Sequence, residues 1–145
     1  MNKIVFISGT FDCLHPGHVT FFLEASKYGD LYVGIGNDES VERYKGKKPV
    51  FNQNERLFMV KAIGCVKGSW INSGEGQVDW LDDWDANRLN PDILIVNEDQ
   101  DTEVKRQICE HRGIKYVVLK RTQYEGFPAR SSTEIRKHYE NPDNN

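Results

Sequence analysis

The stretch that most limits what this chain can fold into is residues 3–30, KIVFISGTFDCLHPGHVTFFLEASKYGD. The apolar run Ile4 to Ile7 reads as a buried strand, and Ser8, Gly9 and Thr10 end it in a small-residue turn. A second turn, His15-Pro16-Gly17-His18, opens a segment with Val19, Phe22, Leu23 and Ala25 at helical spacing. Strand, loop and helix in that order bring a helix N-terminus to the end of a buried strand. Unpaired amide N–H groups and the helix dipole both favour an anion there. Pro16 suits the first turn, where no backbone donor is needed, and Gly17 lets a ligand approach the backbone. His15 and His18, three apart, project to one side of the helix mouth. They offer donors to a polyphosphate without a full permanent charge.

Gly29-Asp30 closes that helix, and LYVGIG (31–36) follows as a second buried strand. Strand, helix and strand with short connections make a right-handed βαβ unit and so a parallel sheet. ILIV (93–96) and KYVVL (115–119) supply further strands. A helix over 52–63 turns Leu57, Val60, Ala62 and Ile63 to the sheet, and one ending at Gly113 turns Val104, Ile108 and Cys109 inward. Lys45, Lys47 and Lys48 around Gly46, followed by Pro49, read as a mobile basic loop, and 65–76 as a short apolar piece leading to a Gly/Ser-rich loop. In 78–90, Trp80 and Trp84 stand four apart, suited to helix packing or to a subunit contact. The whole predicts an α/β protein: a Rossmann-like doubly wound parallel sheet in a single domain over 1–139, with 140–145 a disordered tail.

Composition narrows the function. The 145 residues carry a net charge of −3, which gives no overall footprint for nucleic acid, although a small phosphorylated substrate needs only a local basic pocket. No apolar run suits a signal peptide or a membrane span, so a cytoplasmic protein with no membrane partner is expected. The three separated cysteines fit reduced thiols. Cys13, His15 and His18 could begin a zinc site, but Cys109 and His111 stand alone as a second cluster, so no metal cage is expected. Cys13 reads as a small buried hydrophobe.

GTFDCLHPGH resembles the GTFD and HxGH signature of the cytidylyltransferase-like nucleotidyltransferases. The likeness covers nearly the whole chain and is strongest at 9–18, 45–56 and 121–135. Lys45, Lys47 and Lys48 flank Gly46 ahead of Asn54-Glu55-Arg56, similar to the family's lysine loop and following helix. Arg121-Thr122 and then Arg130-Ser131-Ser132-Thr133 resemble its closing motif, with eight residues, Gln123 to Arg130, before the hydroxyls. The resemblance implies attack by an acceptor's phosphate oxygen on the α-phosphorus of a nucleoside triphosphate, releasing pyrophosphate. The acceptor phosphate, with a second pKa near ~6, needs no strong base; the site must supply position and charge.

On that resemblance His15, His18, Lys47 (favoured over Lys45) and Arg121 carry the chemistry. Gly9, Thr10, Phe11 and Gly17 form a backbone cradle, and Ser131, Ser132 and Thr133 hold the β and γ phosphates. Arg56 belongs with the phosphate ligands, since a cation at a helix start works against the dipole. Asp12, Asp38, Lys45 and Arg130 are assigned to the acceptor side. Asp12 is also suited to orienting a histidine or the loop, and Asp38 to a plain helix N-cap. Magnesium is expected on the triphosphate, largely water-ligated, and a homodimer by likeness, with the tryptophans as contact candidates. The short single-domain layout favours CTP and transfer of CMP to a sugar or polyol phosphate. ATP is the rival, because KGKKPV followed by Glu-Arg is also similar to the heptose branch. Asn97-Glu98-Asp99-Gln100 departs from the family pattern and leaves the acceptor open. Two readings from other classes are a nucleotide-binding module that has lost transfer and a flavodoxin-like module.

Overall fold

A computed structural model describes residues 2–121 and 126–140. In chain order the elements are β1 (Ile4–Gly9), α1 (Pro16–Ser26), β2 (Asp30–Ile35), α2 (Asp38–Lys45) and α3 (Gln53–Lys61). They continue as β3 (Val66–Ile71), α4 (Leu81–Ala86), β4 (Ile93–Asn97), α5 (Glu103–Arg112), β5 (Lys115–Leu119) and α6 (Ser132–Glu140). The five strands lie in the order β3-β2-β1-β4-β5, every neighbouring pair parallel. The chain winds outward from β1 through β2 to β3, then crosses back to β4 and β5. The reversal falls between β1 and β4, which is where an open parallel sheet leaves a crevice for ligands. This is the expected Rossmann-like sheet.

The alternation of side chains along β1 builds two cores. Val5 and Ile7 pack with Phe21, Phe22 and Ala25 of α1 and Val60 of α3. Phe6 points the other way, to Trp80 and Trp84 of the α4 region, Leu94, and Cys109 of α5. Helices α1 and α3 therefore cover one face and α4 and α5 the other. Trp80 and Trp84 stack with ring centroids 4.2 Å apart and are 1% and 0% exposed. They serve helix packing inside the chain and are not available as subunit contacts.

Three local readings change. Residues 66–71, read as a short apolar piece, are the edge strand β3; Lys67 and Gly68 interrupt its hydrophobic pattern, and Gly68 is needed because the Tyr32 ring lies where a Cβ would project. Lys45, read as part of the basic loop, closes a helix instead: Asn37 caps α2 by accepting from the Ser40 amide, and Gly46 ends it at φ 74°. Ala62 and Val104 face solvent rather than the sheet. Residues 141–145 of the expected tail lie outside the described residues, while Glu140 closes α6. Among the described residues no helix is long and apolar enough to cross a membrane.

Candidate active site

A cavity of about 760 Å³ opens over the carboxyl ends of β1, β4 and β5, within the range of ligand sites. Its floor is the turn after β1. Phe11 and Cys13 adopt left-handed backbone conformations, φ 51° and 50°, which cost a non-glycine residue on the order of 1 kcal/mol or more. Asp12, between them, holds the turn in place. Its buried carboxylate accepts from the Val50 amide at 2.8 Å, the Phe51 amide at 3.0 Å and Arg136 Nη2 at 2.7 Å. Burial alone would raise the Asp12 pKa, but these donors more than offset it and hold the carboxyl below its ordinary value.

The two histidines cap α1 reciprocally. The Gly17 amide donates to His15 Nδ1 at 3.0 Å, and the His15 amide donates to His18 Nδ1 at 3.3 Å. The rings stack at 3.8 Å. Both imidazoles line the cavity. Burial, then the charges of His15, Arg121 and Lys45, push the His18 pKa down to about 3. Burial and Arg121 lower His15 as well. Two neutral rings whose Nδ1 atoms accept must carry their protons on Nε2. The helix start thus presents imidazole N–H donors that cannot be used up as charge. Gly17 is required by His15 itself, since a Cβ there would lie 2.8 Å from the ring's Cε1.

Gly9, Thr10, Phe11 and Gly17, assigned to the cradle, line the cavity, and so does Asp12. Lys45, at the end of α2, also lines it; partial burial, then Arg136 nearby, lowers its ammonium pKa. Lys47 does not line it and lies 3.8 Å from Glu140 Oε2 on the surface. In this structure Lys45, and not the favoured Lys47, borders the cavity. Arg56 is not a phosphate ligand in this arrangement. It is 0% exposed, and its guanidinium donates to Phe51 O at 3.0 Å, Thr10 O at 2.8 Å and Asp38 Oδ1 at 2.8 Å. The dipole penalty is met by burying the charge against two carbonyls and a carboxylate. Asp38, expected at the acceptor or as an N-cap, is not the cap: Asn37 caps α2 and Asp38 anchors Arg56.

The opposite wall comes from β5 and α6. Arg121 lines the cavity and pairs with Asp99 at 3.0 Å; Thr122, its motif partner, lies outside the described residues. Arg130, Ser131, Ser132 and Thr133 line the cavity together. Ser131 accepts from the Glu134 amide at 3.1 Å, and among the described residues its O–H has no acceptor and can turn to an anion. The Ser132 O–H is already committed to the Asp12 carbonyl at 2.6 Å. Sequence reasoning did not single out Asp79 or Lys105, which line the same cavity from the α4 and α5 side. The one available signal was a lysine in the first turn of α5, against the dipole. Asn97, Asp99 and Gln100, where the pattern departs from the family, line it too. Among the described residues no group of three His, Cys, Asp or Glu could hold a metal ion.

Together these features define an α/β protein that can grip a polyphosphate at the switch point of its sheet. The family model described as cytidylyltransferase-like matches residues 6–138, and the chain belongs to that family and is a nucleotidyltransferase. A protein named FAD synthase from Methanocella paludicola is 37% identical over 141 residues, covering 94% of this chain and 95% of the relative. Another FAD synthase, from Aciduliprofundum boonei, is 37% identical over 123 residues, 83% of this chain and 78% of its own length. Among solved structures, a lipopolysaccharide core biosynthesis protein from Thermoplasma volcanium superposes with a TM-score of 0.67 at 26% identity. That superposition covers 86% of this chain and 100% of the other.

Proposed function

We propose that this chain is an adenylyltransferase that joins the AMP moiety of ATP to the phosphate of FMN, giving FAD and pyrophosphate. The observation that carries this is the near full-length 37% identity to a protein named FAD synthase, joined to a cavity whose lining brings His15, His18, Lys45, Arg121 and the Ser131 to Thr133 hydroxyls together. ATP thus replaces CTP as the favoured donor, and FMN replaces a sugar or polyol phosphate as the acceptor.

The residues account for the reaction without a general base. An FMN phosphate oxygen attacks the α-phosphorus; the new oxygen–phosphorus bond forms as the bond to the β-phosphate bridging oxygen breaks, and pyrophosphate leaves. The acceptor phosphate is largely ionised at neutral pH, so no proton needs to be removed. His15 and His18 direct Nε2–H donors at the α-phosphoryl oxygens, where charge builds in the transition state, and Lys45 adds a cation from the neighbouring helix end. Arg121, the Ser131 hydroxyl, Thr133 and the N-terminus of α6 receive the β and γ phosphates. Arg130 and Lys45 stand where the acceptor phosphate would enter. Magnesium would enter with the nucleotide as part of the substrate and would offset charge on the triphosphate.

The test is a product assay crossing ATP and CTP with FMN, glycerol 3-phosphate and a heptose phosphate. FAD formed only from ATP and FMN supports the reading. Cytidylyl transfer to either sugar or polyol phosphate would replace it, and tight nucleotide binding with no transfer would leave a silent nucleotide-binding module.

A further inference from the structure

The phosphate machinery occupies the α1 and α6 side of the cavity. The α4 and α5 side carries charged groups that no step above uses. Asp79 enters from the segment after β3 and is 9% exposed; Lys105 enters from the first turn of α5. The two elements flank the crevice from opposite halves of the sheet, because β3 and β4 lie on either side of the β1–β4 reversal. Both side chains line the cavity, beside Gln77, Trp80, Asn97 and Gln100. Lys105 Nζ is aimed by donating to Gln100 O at 2.9 Å. Asp79 is steadied by the buried Asn72, whose side chain also donates to Ser8 Oγ at 3.1 Å. That arrangement depends on Gly34, since a Cβ there would lie 2.3 Å from Asn72 Oδ1.

Two opposite charges placed in a cleft, each held by a neutral partner and forming no direct ion pair with one another among the described residues, leave one acceptor and one donor for a ligand. A polyphosphate does not suit this end, because the Asp79 carboxylate would repel it. A planar heterocycle does. Such rings set an N–H beside a carbonyl oxygen or ring nitrogen. Burial, and then Asp83 nearby, push the Asp79 pKa up to about 6, while Asn72 and Lys105 pull it back, so the carboxylate is mostly ionised at neutral pH and accepts strongly. Resting on the adenylyl-transfer reading, we propose that Asp79 and Lys105 are the specificity pair that reads a heterocycle edge of one of the two substrates. Asp79 accepts from its N–H and Lys105 donates to the adjacent acceptor atom. The isoalloxazine of FMN and the adenine of ATP share this chemistry.

The experiment measures binding by calorimetry, so it does not depend on turnover. Its probes are FMN and N3-methyl-FMN, then ATP and N6,N6-dimethyl-ATP, each with the wild type, Asp79→Asn, Asp79→Ala and Lys105→Met. The expected result is that the wild type disfavours one of the two methylated ligands by ~10-fold or more. Asp79→Ala abolishes that discrimination, Asp79→Asn keeps part of it, and Lys105→Met weakens the parent ligand alone. The flavin arm or the adenine arm then names the substrate read. Equal discrimination in wild type and Asp79→Ala for both ligands, with unchanged melting temperatures, overturns the proposal. Failure of the adenylyl-transfer reading would show separately, as wild-type protein that binds neither FMN nor ATP or forms no FAD from them.

Discussion

Arg136 Nη2 lies 2.7 Å from Asp12 Oδ2, and this one ion pair joins the far C-terminal helix to the histidine turn near the start of the chain. The same carboxylate holds the amides of Val50 and Phe51, and the Asp12 carbonyl accepts from Ser132. The three walls of the phosphate site therefore meet at a single buried residue. Removing one partner of a buried ion pair costs about 3–5 kcal/mol. Arg136→Met and Asp12→Asn are each expected to lower the denaturant midpoint, with a double variant well short of the sum, as a thermodynamic cycle would show.

The Asp12 pair also sets an acid limit. Its folded pKa lies below the ordinary 3.8, so its contribution is present above that value and is lost as pH falls through the folded pKa. His18 acts at higher pH and in a different way. Its folded pKa is about 3 against 6.5 for a free imidazole, so between those values the unfolded chain binds the extra proton and stability falls as pH drops from 6.5. Asp79 works the other way, since its folded pKa of about 6 lies above the ordinary 3.8 and the folded chain binds the extra proton between those values. Chemical denaturation at pH 8, 6, 5 and 4 should show a plateau above 6.5 and a decline below it that steepens in Asp79→Asn. Activity should carry no His18 titration near neutrality, and the His18 ring nitrogens should keep the Nε2–H tautomer to pH 5.

His15 has two duties that substitution can separate. It caps α1 through Nδ1 and donates through Nε2. His15→Asn retains a good cap and should fold with nearly unchanged midpoint, while turnover drops ~100- to 1000-fold. His15→Ala should lose the same turnover and about 1 kcal/mol of stability besides. Equal stability in the two variants would remove the capping role.

The lysines give the sharpest comparison. Lys45→Met is expected to cut kcat by on the order of 100-fold, whereas Lys47→Met, whose ammonium faces Glu140 on the surface, should remain within about threefold. The reverse order in steady-state kinetics would show that the 46–51 loop carries Lys47 into the site.

Arg56→Met should behave as a folding variant. The lost guanidinium leaves two carbonyls and Asp38 without their donor, and the cost is about 3–5 kcal/mol in stability. A soluble Arg56→Met with normal midpoint but raised KM would restore it to the substrate.

What could be read in the sequence followed from local chemistry. The β1–α1 unit announced itself because an apolar run, a small-residue turn and HPGH each depend on near neighbours, and Ser131 to Thr133 did so as a helix start. Arg56 misled because its oddity at a helix N-terminus was real, but the compensating groups, Thr10 O and Asp38, are distant in sequence and visible only after folding. Lys45 and Lys47 differ by where Gly46 ends α2, which spacing alone could not place. β3 was missed because an edge strand interrupted by Lys67 and Gly68 lacks the alternation that marks a half-buried strand. Asp79 and Lys105 sit on separate elements and meet only across the crevice.

The central claim is that two neutral imidazoles at the head of α1 promote transfer of the α-phosphoryl group from ATP to FMN. It is tested most directly by following α-phosphorus label from ATP under single-turnover conditions, with wild type and His18→Ala. The account predicts label in FAD with the wild type and transfer slowed ~100- to 1000-fold in His18→Ala, with ATP still bound. Label that stays in ATP with the wild type, or reaches FAD at the same rate without His18, would contradict it.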